Sequence, residues 1–123
     1  MFREQDIQNE AKNFEAVVTS LYFPAGREVN TKVERLPKGR IAIKTEVLFK
    51  YLEDSSNLLT LEFKRDKKDR QAYEIEAMTL YRRLTGRTET FRITTNEENY
   101  ISDLIKLVDS YGFCTHLLKE MEE

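Results

Sequence analysis

A chain of 123 residues, 40% apolar and 34% charged, has the size and balance of one soluble domain around one core, able to bury about two thirds of its unfolded surface. Its formal net charge of -2 gives no bulk attraction to nucleic acid, and four glycines and two prolines leave no linker-like stretch. The charge is uneven: residues 63–94 carry 9 Lys/Arg against 5 Asp/Glu, and residues 95–123 carry 2 against 7.

The first predicted element is a helix over about 3–22. Ile7, Ala11, Phe14, Val18 and Leu21 recur at helical spacing among polar neighbours, and Pro24-Ala25-Gly26 ends the run. Val29, Thr31 and Val33 then alternate with Asn30, Lys32 and Glu34, and Pro37-Lys38-Gly39 supplies a turn. In the next run, 41–52, Ile41, Ile43, Thr45, Val47, Phe49 and Tyr51 alternate with Ala42, Lys44, Glu46, Leu48, Lys50 and Leu52. A strand points successive side chains to opposite faces, so this run predicts a sheet with one apolar and one mixed face, a pattern typical of antiparallel pairing.

Glu53-Asp54-Ser55-Ser56-Asn57 reads as a polar turn, followed by a third strand with Leu59, Leu61 and Phe63 on one face. Residues 71–84 fit both templates. Tyr73, Ile75, Ala77, Thr79 and Tyr81 fit a period of two, whereas Tyr73, Ala77, Leu80, Tyr81 and Leu84 fit a helix face. The strand is favoured because the charged segment 65–70 resembles a hairpin loop. A fifth strand follows over 88–94, with Phe91 and Ile93 on one face. Thr95 and Glu98 form a capping box for a helix over about 96–111, with an Ile101, Leu104, Ile105 and Val108 stripe and Gly112 at the position after the helix. Leu117, Leu118 and Met121 are able to dock as a short helix or tail.

The predicted fold is therefore a single two-layer α+β domain. A five-stranded, mostly antiparallel meander sheet (about 28–94) is flanked by an N-terminal helix (about 3–22) and a C-terminal helix (about 96–111), both packed on the Ile41/Ile43/Val47/Phe49 face. No motif among these residues identifies a family.

Groups for catalysis are scarce. The single histidine, His116, stands next but one to the single cysteine, Cys114, a spacing that does not bring the two side chains face to face and leaves a zinc site without its remaining ligands. Ser20, Ser55, Ser102 and Ser110 lie outside any G-x-S-x-G elbow, and neither G-x-G-x-x-G nor a P-loop occurs. Glu74 and Glu76 would share a solvated strand face and are not distinguished as a catalytic pair. No catalytic residue, metal or cofactor is expected. The lone cysteine, the absence of N-x-[ST] acceptors and of an apolar N-terminal leader predict a reducing, cytoplasmic location, with no membrane span or lipid anchor.

The strongest functional signal is basic: Lys64, Arg65, Lys67, Lys68 and Arg70, then Arg82, Arg83, Arg87 and Arg92. In a meander the first group falls at one end of the sheet and Arg82, Arg83 and Arg87 at the other. Such cations commonly protect sheet edges and keep a surface soluble. The leading expectation is a non-enzymatic regulatory module, of a kind phages or mobile elements could encode. It would bind a protein partner or a second copy of itself through the mixed face around Lys44, Leu48, Lys50 and Leu52 and through the basic residues Lys64, Arg65, Lys67, Lys68, Arg70, Arg82 and Arg83. The alternative is nucleic-acid binding along 64–92, with Tyr73 and Tyr81 as stacking platforms if they do not face the core.

Overall fold

The computed structural model describes residues 2–50, 55–92 and 100–112. It contains a helix, α1 (Glu4–Tyr22), five strands, β1 (Gly26–Leu36), β2 (Arg40–Phe49), β3 (Ser56–Arg65), β4 (Tyr73–Arg82) and β5 (Arg87–Arg92), and a second helix, α2 (Tyr100–Tyr111). The strands form one antiparallel sheet in chain order. The predicted meander between two helices is thus the observed fold, and 73–82 is strand.

The alternation in β2 explains the layering. Ile41, Ile43, Thr45, Val47 and Phe49 are all at most 2% exposed, and the register sets Phe63, Leu61 and Leu59 of β3 opposite Ile41, Ile43 and Thr45. Both helices cover this face: α1 lies against β1 and β2, while α2 lies against β4 and β5 and touches α1. The α1 stripe buries Ile7, Ala11, Phe14 and Val18 as expected. Its last buried position is Tyr22 rather than Leu21, which is half-buried. Phe14 and Tyr100 bring the helices together, with ring centroids 6.4 Å apart. Burial and the neighbouring Glu10, which accepts the Tyr100 hydroxyl hydrogen bond, push that phenol well above its usual range.

The register of β4 differs from a simple alternation. A bulge between Glu62 and Phe63 in the β3–β4 ladder pairs Glu62 with Ala77 but Phe63 with Ile75, leaving Glu76 as an extra residue. Side-chain parity therefore reverses within the strand. Tyr73 and Ile75 face the core together with Met78 and Leu80, whereas Thr79 and Tyr81 face outward. Tyr73 and Tyr81 thus lie on opposite faces, which removes the paired stacking platform.

The expected polar turn over 53–57 is also corrected at its C-terminal half. Ser55, Ser56 and Asn57 are 5%, 3% and 4% exposed, and the last two already belong to β3. Asn57 is buried because its Nδ2 donates to the Tyr22 hydroxyl (2.9 Å) and to the Gly112 carbonyl (2.5 Å), tying β3 to the ends of both helices. Burial raises the Tyr22 phenol far above its usual range, while the Asn57 hydrogen bond and the Arg82 charge oppose that rise. Gly112 is not left-handed; a Cβ there would meet the Val108 carbonyl oxygen at 2.6 Å and the Tyr22 hydroxyl at 2.8 Å. Close packing, not a positive φ, demands glycine. The expected capping box at Thr95 and Glu98, Ile93, Tyr51, Leu52, Cys114, His116, Leu117, Leu118 and Met121 lie outside the described residues.

Candidate functional site

The sheet face opposite the helices has no covering element among the described residues. Its middle is a lattice of ion pairs over small residues. Arg40 pairs with Glu62 (3.1 Å) and Glu76, Lys44 with Glu34 (2.6 Å), and Lys64 with Glu74 (3.5 Å), above Ala42, Thr60 and Ala77, which are at most 7% exposed. Lys44 pulls the Glu34 carboxyl below its usual range, chiefly through their hydrogen bond. The long charged side chains cover the sheet there, and their stems shield the small residues beneath.

Toward one end of the same face the lattice gives way to apolar side chains. Leu58 stands directly opposite Tyr81 across β3–β4 and opposite Glu46 across β2–β3, so Leu48, two residues along β2, is its diagonal neighbour. Leu48 and Leu58 are half-buried and Tyr81 is 39% exposed. At this end of the sheet the β4–β5 turn adds Leu84, 51% exposed, and the end of α1 adds Phe23, 78% exposed. Leu48 was legible as an outward apolar residue. Leu58 is legible too, standing one position out of phase with Leu59, Leu61 and Phe63. Tyr81 was hidden by the bulge, and Phe23 and Leu84 carry no periodic signal.

The basic residues divide as the meander predicts. Arg65, Lys67, Lys68 and Arg70 are exposed around the β3–β4 loop, and Arg83 and Arg87 are exposed at the β4–β5 turn, at the opposite end. Arg82 is engaged inside that second end: it pairs with Glu89 at 3.2 Å and lies 5.9 Å from the Tyr111 ring centroid. Lys50 is exposed at the end of β2, its amide bound to the Ala25 carbonyl. The residues anticipated at Lys44, Leu48 and Lys64 share the open face, with Lys64 at the end away from Leu48, whereas Arg82 does not join them.

No protein-family model, curated protein or solved structure matches this chain.

The β3–β4 end is built from three chain segments. Phe2 exchanges two backbone hydrogen bonds with Tyr73, at 2.9 and 2.7 Å, and its ring meets Phe63 edge-on at 5.3 Å. Arg3 pairs with Asp69 of the loop at 3.0 Å, and the Asp6 carboxylate accepts the Arg3 amide at 2.8 Å, capping α1. The Gln71 amide, and secondarily Arg3, hold the Asp69 carboxyl below its usual range. These contacts fix the start of α1 against the loop, a meeting of distant segments that no motif announces.

Among the described residues no group of three His, Cys, Asp or Glu side chains is placed to hold a metal ion, and no helix is long and apolar enough to cross a membrane.

Proposed function

We propose that the protein is a non-enzymatic interaction module, cytoplasmic, that binds a partner protein through the open face of its sheet. The observation that carries this reading is the Leu48–Leu58–Tyr81 row, apolar and uncovered among the described residues, at the border of an ion-paired lattice. An exposed apolar patch bordered by charged side chains is a feature of protein-binding surfaces. Lys44 and Glu34 on the same face place charge beside this patch. The nucleic-acid alternative requires one cationic track along 64–92, but its cations are split between the two ends of the sheet, with Arg92 alone between them on β5 and with Arg82 and Lys64 paired to carboxylates.

Affinity capture from the source cell, comparing the wild-type chain with Leu48→Asp and Tyr81→Ser, tests this directly. Both side chains are at least partly exposed, so both variants should keep wild-type circular dichroism while losing the specific partner by about tenfold or more, as for a central contact. A self-association seen by sedimentation and abolished by both variants would identify the partner as a second copy. Capture and self-association that neither substitution changes would overturn the reading.

A further inference from the structure

At the opposite end of the sheet, the start of α1, the β3–β4 loop and the first residue of β4 surround an open groove of about 660 Å³. Two of its lining charges are matched by neighbours, Arg3 by Asp69 and Glu4 by Arg35. Two guanidiniums on its wall, Arg65 and Arg70, have no carboxylate partner among the described residues. We propose that this groove binds a small phosphate-bearing molecule, with Arg65 and Arg70 as its principal contacts. This site is separate from the open-face surface and does not depend on it.

The arrangement fits that ligand in charge, shape and size. Two unmatched positive charges balance a phosphate dianion, and guanidinium forks engage phosphate oxygens through paired hydrogen bonds. Arg65 is held in position before any ligand arrives: its guanidinium lies 5.8 Å from the Tyr73 ring centroid, and its Nη1 makes a long contact of 3.5 Å to the Arg70 carbonyl. The Pro37–Gly39 turn closes its other side; a Cβ on Gly39, whose φ is +70°, would come within 2.9 Å of the Arg65 Nε. Gln5, Gln8 and Gln71 line the same groove and offer amide donors to further oxygens. The volume lies in the range of small-molecule sites, about 300–1,000 Å³. A long polyanion is a poorer match, because Arg83 and Arg87 stand at the far end of the sheet.

Isothermal titration calorimetry of the full chain with pyrophosphate at low ionic strength tests the proposal. Saturable binding is expected, weakened about tenfold or more in Arg65→Ala and in Arg70→Ala and unchanged in an Arg83→Ala/Arg87→Ala variant. Both groove arginines are exposed, so their variants should melt as the wild type does. Arg65→Lys, which keeps the charge and loses the fork, should recover part of the affinity. A nucleoside triphosphate that binds more tightly than inorganic triphosphate would assign a nucleotide; equal affinities would assign the phosphate group alone, and either result supports the site. No saturable binding by the wild-type chain at millimolar concentration, or equal weakening by the far-end variant, would overturn it.

Discussion

Phe14→Ala should lower the unfolding free energy by about 3–5 kcal/mol, the cost of emptying a fully buried aromatic site. Phe14 is 0% exposed in the middle of the α1 stripe, and its ring faces Tyr100 of α2. The residue therefore supports two contacts at once, helix to sheet and helix to helix, and a cavity there lies between elements that are fixed by their own hydrogen bonds. Little collapse can fill it. Because a domain of this size has a total stability of only about 5–15 kcal/mol, the substitution should remove a large part of it and lower the melting temperature by more than about 10 °C. Phe23→Ala supplies the contrast. Phe23 is 78% exposed, so its loss should change stability by less than about 0.5 kcal/mol. Urea unfolding of both variants, with unchanged slopes, measures the difference; a loss below about 1 kcal/mol for Phe14→Ala would contradict the packing described.

Asn57→Leu should cost about 2–4 kcal/mol, because one substitution removes two buried hydrogen bonds. The Asn57 amide is the donor to the Tyr22 hydroxyl and to the Gly112 carbonyl, at a site 4% exposed. Leucine fills similar volume but offers no donor, and the backbone carbonyl at the end of α2 would lose this partner. Tyr22→Phe removes only one end of the same cluster and should cost about 1 kcal/mol. The double variant should be less destabilised than the sum of the two, since both changes delete one shared hydrogen bond. Strict additivity in urea unfolding would show that Asn57 and Tyr22 do not act together. The cluster also sits beside the end of the sheet that carries Tyr81 and Leu84, so Asn57→Leu should weaken partner capture only to the extent that it unfolds the chain.

Much of the fold was legible because alternation and helical spacing are local signals. The run from Ile41 to Phe49 identified both the core face and the open face, and the charged residues 65–70 identified a hairpin loop. Three features were not legible, each for a physical reason. The bulge at Glu76 inserts one residue into β4 and reverses its parity, and nothing in Tyr73-Glu74-Ile75-Glu76-Ala77 marks where the insertion falls. Ser56 and Asn57 look like turn residues by composition, yet Asn57 is buried because its partners come from residues 22 and 112, far away in the chain. Gly112 resembles a left-handed helix stop, whereas its neighbours in space exclude a Cβ.

The same division holds for function. By itself the sequence determined the helix–meander–helix order, the uncovered mixed face with Leu48 on it, and the separation of the basic residues into two groups. These follow from the period of two in a strand and the short connections of a meander. Only the tertiary structure decided that Leu48, Leu58 and Tyr81 form one row, that Arg82 is engaged with Glu89 and Tyr111, and that Arg3, Arg65 and Arg70 share a groove. Those facts depend on register, on a single inserted residue and on the docking of the chain's first residues beside Tyr73. They are distances between segments remote in sequence, which periodicity along the chain does not encode.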